Sequence, residues 1–62
     1  MVAVKKYVEK LIENYVKWYR IMQTTRDPKL KRIARMQVGR YRRILPKYGV
    51  DPDEVVRRLI NN

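Results

Sequence analysis

The chain has 62 residues, enough for one domain and one modest core. A chain this short buries only roughly 60% of the surface its unfolded form exposes, and small folds often add a disulfide, a metal or a partner to compensate. With no cysteine, no histidine and six carboxylates that form no ligand cluster, disulfides, metal and cofactor are set aside, and a net charge of +10 points to an anionic partner.

Two proline-centred breaks divide the chain into three predicted helices. The first spans about residues 2–24. Val4, Tyr7, Val8, Leu11, Ile12, Tyr15, Trp18, Tyr19 and Met22 recur at the three-four spacing of one helical side. Lys6, Glu9, Lys10, Glu13, Lys17 and Arg20 fall on the other side. Lys5/Glu9 and Glu13/Lys17, four apart, are expected to add small helix support. The apolar arc covers about half the circumference, wider than a two-helix seam requires.

The break Thr24-Thr25-Arg26-Asp27-Pro28 contains a start signal. The Asp27 carboxylate accepts the free amides of a following turn, and Pro28 fits the first helical position. The second helix is expected over about 28–46, with Leu30, Ile33, Ala34, Gln37, Tyr41, Ile44 and Leu45 inward. Pro46 should end or kink it. Gly49 suits a left-handed C-terminal position, with Val50 packing back.

The third helix is expected over about 52–60. Asp51 caps it, Pro52 opens it, and Glu54 completes a capping box. Val55, Val56, Leu59 and Ile60 form its inward side. The expected fold is all-α: an antiparallel helical hairpin with a short third helix over one end, a small three-helix bundle forming a single domain over 1–62.

The charge is unevenly placed. Residues 1–25 carry net +3, residues 48–62 net −1, and residues 26–47 hold nine bases against one acid, net +8. At about 100° per residue, Arg32, Arg35, Gly39, Arg42 and Arg43 share one stripe of the second helix. Lys29, Arg40 and Lys47 flank it on one side and Lys31 on the other. Like charges three and four apart weaken an isolated helix, so such a stripe suggests a compensating anion. The preference for arginine fits phosphate, which a planar guanidinium grips in a fork. Gly39 costs about 1 kcal/mol relative to alanine in mid-helix; close approach of a phosphate backbone or another helix would account for it, and a tolerated weak spot or slight kink is the alternative. Met36, near the stripe, reads as a packing residue at its edge.

The rings of Tyr7, Tyr15, Trp18, Tyr19, Tyr41 and Tyr48 all fall on inward-predicted sides. Single-strand binders need exposed rings for base stacking, so the pattern favours structured DNA or RNA contacted through its backbone.

The segment Tyr48-Gly49-Val50-Asp51-Pro52-Asp53-Glu54-Val55-Val56-Arg57-Arg58-Leu59 resembles the turn and second helix of the helix-turn-helix DNA-binding family. That family commonly has a glycine in the turn, an apolar residue after it, and apolar positions matching Val55 and Leu59. The chain departs from the pattern at Pro46, which falls inside what would be the first helix. It departs again at Asp51, Asp53 and Glu54, which would repel phosphates beside a groove. The resemblance implies DNA binding but assigns no base-reading residue here.

The expected function is that of a small accessory or architectural nucleic-acid-binding protein, associated with a nucleoid, ribonucleoprotein or polymerase. Its site would comprise Lys29, Lys31, Arg32, Arg35, Gly39, Arg40, Arg42, Arg43 and Lys47. The alternative is a helical interaction or oligomerisation module, a non-enzymatic subunit, in which Ile12, Val16 and Tyr19 form a seam with a homodimer mate or a larger protein complex. A membrane partner is not expected: no apolar run approaches the ~18 residues of a spanning helix. Met1-Val2-Ala3-Val4-Lys5-Lys6 also lacks the order of a signal peptide, so a cytoplasmic location is expected. An enzyme with a small-molecule substrate is not expected either. There is no histidine, cysteine or serine, no phosphate-cradling glycine loop, and the acids of 27, 51, 53 and 54 are committed to caps.

Overall fold

The computed structural model describes residues 2–61, with side chains from Lys5 onward, and every regular element among them is helical. The Val4 side chain, expected on the apolar side of the first helix, lies outside them. Helix α1 spans Val2–Thr24 and α2 spans Pro28–Ile44. A 3₁₀ turn, Leu45–Tyr48, leads through Gly49 to α3, Pro52–Val55, which continues as a π turn over Val56–Ile60. No described helix is long and apolar enough to cross a membrane.

Helix α1 forms on apolar spacing alone, without an acidic first turn. Leu11 and Tyr15, four apart, go into the interior, and Ile12, Val16, Trp18, Tyr19 and Met22 pack around them. The helix closes with Thr24 Oγ1 donating back to the Arg20 carbonyl at 2.8 Å. Neither Lys5/Glu9 nor Glu13/Lys17 forms an ion pair; those among the described residues lie elsewhere.

Helix α2 starts as expected. Asp27 is extended, its Oδ1 accepts from the Lys29 amide at 3.0 Å, and Pro28 follows. Thr25 Oγ1 in turn accepts from the Asp27 amide at 3.1 Å, which ties the connection down. Pro46 lacks the amide an α-helix needs and its ring crowds the carbonyl four residues back, so the chain tightens into the 3₁₀ turn. Gly49, at φ 79°, ψ 18°, then reverses the chain, and the Val50 amide donates to the Leu45 carbonyl at 3.0 Å. That six-to-one bond satisfies a carbonyl which the broken helix leaves free.

The third helix is capped by Asp51, whose Oδ1 accepts from the Asp53 amide at 3.0 Å. The expected capping box is absent. Glu54 turns both carboxylate oxygens to its own helix, one to Arg57 and the other to Arg58 Nε at 2.6 Å. At the far end, the Asn61 amide reaches the Val56 carbonyl, the spacing of a π turn. Arg20 of α1 donates to the Leu59 carbonyl at 3.0 Å, filling one of the acceptors a helix C-terminus leaves open.

The three helices pack as a small helical bundle. Its core is Leu11 and Tyr15 of α1, Val38 of α2, Leu45 of the 3₁₀ turn, and Val55 and Val56 of the last helix. Tyr15 and Leu45 are wholly enclosed. Ala34 is also fully buried, and its small side chain lets α2 lie close.

The inward side of α2 differs from the one expected. Val38 is buried although it was not counted among the inward residues, and Ile33, which was, is 47% exposed. On a 100° helical wheel the buried centre falls near Ala34, Val38 and Leu45, about 60° from the expected Leu30–Gln37–Tyr41 line. Leu59 was also expected inward and is 50% exposed, because the π turn rotates it off the buried side.

Candidate nucleic-acid interface

The rotation of α2 decides which basic residues are available. Directly opposite its buried centre lie Arg32, Arg43 and Met36, with Gly39 and Lys29 beside them and Arg35 and Arg40 at the margins. All of these are exposed. Lys31 and Lys47 are exposed at the edges. None of Lys29, Lys31, Arg32, Arg35, Arg40, Arg43 and Lys47 takes part in an ion pair among the described residues.

Two shallow depressions run along this face. One is bordered by Lys31, Arg32, Arg35 and Met36 beside Pro28. The other lies around Gly39 between Arg35, Arg40 and Arg43, with Met36 and Ile44 completing it. A Cβ at Gly39 would meet nothing within 4 Å, so no helix of this chain packs over it. Helix packing among the described residues is therefore not what the glycine serves, which leaves a phosphate backbone, a helix of another chain, or a tolerated weak spot.

Met36 stands among these arginines with 70% of its surface exposed, not at a packed edge as expected. The shift of the buried side toward Val38 carries Met36 to the pole of the solvent face.

Arg42 departs from the expected stripe. It lies about 40° from Val38 on the wheel, beside the seam with α1. Its Nη1 donates to the Tyr15 hydroxyl at 3.2 Å and its Nη2 to Asp53 Oδ1 at 2.9 Å. One guanidinium therefore bridges α1, α2 and α3. The Asp53 hydrogen bond, then that of Tyr15, holds the Arg42 pKa above its ordinary value. Burial pushes the Tyr15 hydroxyl up, partly opposed by its bond from Arg42. Arg42 is thus engaged by a carboxylate of its own chain, against the expectation that the stripe had none. The pairing was hidden because Asp53 lies eleven residues on and approaches only after Gly49 reverses the chain. A buried tyrosine in want of a hydrogen-bond partner was the available hint.

Arg57 and Arg58, the remaining bases of the last helix, are both engaged by Glu54. The helix that a helix-turn-helix resemblance would place in a groove therefore presents an acidic first turn and paired arginines. Its Pro52, Val55 and Val56 are committed to the interior.

The aromatic expectation holds for Tyr15, which is enclosed, and for Trp18, Tyr19 and Tyr41, which are half-buried against the core. It fails for Tyr7 and Tyr48. They are 51% and 43% exposed and pair edge-to-face, ring centroids 5.6 Å apart. The 3₁₀ turn carries Tyr48 out to the end of α1, where the two rings shelter each other more than they fill a core. Tyr7 raises the Tyr48 pKa.

The residues expected at a protein seam, Ile12, Val16 and Tyr19, all pack around the core; Ile12 and Val16 also border an apolar groove on α1, and Tyr19 packs edge-to-face on Tyr15, 5.9 Å between centroids. In comparisons with known proteins, no family model, no curated protein and no solved structure matches this chain.

Proposed function

We propose that this chain is a single, non-enzymatic helical domain, a hairpin of α1 and α2 running antiparallel with the last helix over one end. In this reading, the outer face of α2 binds the phosphate backbone of structured DNA or RNA. The observation that carries it is the exposed strip Lys29, Arg32, Arg35, Arg40 and Arg43, which engages no carboxylate among the described residues. Lys31 and Lys47 extend the strip at its edges. Gly39 gives the backbone a place to come close between Arg35 and Arg43. Arg42 is excluded from the contact set, because its guanidinium is needed to hold Tyr15 and Asp53.

The mechanism is counterion release. Each neutralised phosphate frees condensed cations, so affinity falls with salt, by a slope of roughly −0.9 per contact on duplex DNA. Four to six contacts correspond to a slope of about −4 to −5. Contacts of this kind position a protein on a helix without reading sequence. The test is titration of a fluorescent duplex, and in parallel a structured RNA, at several salt concentrations. Binding to either at low salt is expected, and absence of binding to both ends the proposal.

A further inference from the structure

Along α1 beside the last helix, Ile12, Val16 and Ile21, each half-buried, line an apolar groove closed at its edge by the half-exposed Leu59. Three charged residues rim it: Glu13 toward the N-terminus, Lys17 and Arg20 toward the C-terminus. Glu9, one turn before Glu13, is exposed on the same side. Among the residues that line the groove, the acid Glu13 lies in one half and the bases Lys17 and Arg20 in the other.

That arrangement is self-complementary under a two-fold axis. When two copies of α1 pack antiparallel about a point beside Val16 and Lys17, Glu13 of each copy meets Arg20 of the other, with Lys17 one turn away. The two Val16 side chains then flank the axis, with Ile12 of each copy one turn away on the same side. A parallel pairing would instead set acid on acid and base on base. An isologous interface needs this match, since the same patch serves both subunits. The Lys17 stems can cover the apolar strip while their ammonium groups stay in water.

We infer that this groove is the seam of a homodimer, occupied by α1 of a second copy in antiparallel register. This goes beyond the nucleic-acid reading and does not depend on it. Because α1 and Leu59 line the groove and no residue of α2 does, both outer faces of α2 stay free in the dimer. The dimer would carry two phosphate-binding faces pointing apart.

The experiment is equilibrium sedimentation of the nuclease-treated full chain over a concentration series, with far-UV circular dichroism as the folding control. The wild type is expected to show a monomer–dimer equilibrium. E13R, which breaks no hydrogen bond or ion pair among the described residues, should weaken the dimer about tenfold or more, as should R20E. Mixing E13R with R20E should restore association, since each acid then faces a base across the axis. Arg20 also holds the Leu59 carbonyl. If R20E loses helicity, K17E serves instead as a second single variant, expected to weaken the dimer by placing an acid one turn from the partner's Glu13. A wild type that stays monomeric, a dimer indifferent to E13R, or a mixture that fails to associate would each overturn the inference.

Discussion

Arg42 of α2 donates to the hydroxyl of Tyr15, the largest enclosed side chain of α1, at 3.2 Å. The same guanidinium reaches Asp53 at 2.9 Å. The most basic segment of the chain therefore supplies one structural arginine, and the remaining cations stay free.

Loss of this bridge should cost stability unequally at its three positions. R42A leaves the Tyr15 hydroxyl without its partner, a penalty of about 1–3 kcal/mol for a buried polar group. D53N removes only a solvent-exposed charge partner, worth roughly 0.2–1 kcal/mol. Urea unfolding followed by circular dichroism should rank R42A well below D53N. Equal effects would mean that the Tyr15 contact contributes nothing.

The same contact predicts an alkaline limit. The folded state holds the Tyr15 pKa above the ordinary 10.0, mainly through burial. Above pH 10.0 the unfolded chain releases that proton while the folded chain retains it, so the contribution to stability is complete below that value and declines as pH rises through the folded pKa. Urea midpoints should fall on the alkaline side of 10.0, and Y15F should fall less steeply there. A Y15F profile parallel to the wild type would assign the decline to the other tyrosines.

The core offers a plain test of packing. Leu45 is wholly enclosed where the 3₁₀ turn meets α1. L45A should cost about 2–5 kcal/mol through lost burial and the cavity left behind. For a chain with so small a core this approaches total stability, so the variant is expected to lose its cooperative thermal transition.

Gly39 separates stability from binding. A methyl group there meets no neighbour, and the residue is not in the left-handed region. G39A should therefore raise stability by about 1 kcal/mol, the usual helix preference for alanine. If a phosphate backbone approaches at this point, the same variant should bind a duplex more weakly despite being more stable. Gains in both would place the contact elsewhere on α2.

The local punctuation of this fold is legible in its sequence. Asp27-Pro28, Gly49 and Asp51-Pro52 mark the breaks because their chemistry is local: a cap, a missing amide, a left-handed turn. The rotation of α2 is not legible in the same way. Its wheel carries apolar residues over a broad arc, and whether Val38 or Ile33 turns inward depends on what α1 and the last helix present. The basic stripe was therefore found while its composition was not. Arg42 belongs to the seam and Met36 to the solvent face, differences that follow from one rotation of about 60°. Tyr7 and Tyr48 were misplaced for a related reason, since the 3₁₀ turn at Pro46 swings Tyr48 off the α-helical wheel.

The salt dependence of duplex binding, wild type against the triple variant R32Q/R35Q/R43Q, tests the central claim most directly. These three arginines make no ion pair among the described residues, so their removal should leave the circular dichroism and the thermal transition in place. The account predicts that the log–log salt slope becomes shallower by about 3, near 0.9 per lost contact, with affinity falling across all sequences alike. A variant that binds with the wild-type slope would show that the outer face of α2 is not where the phosphates lie.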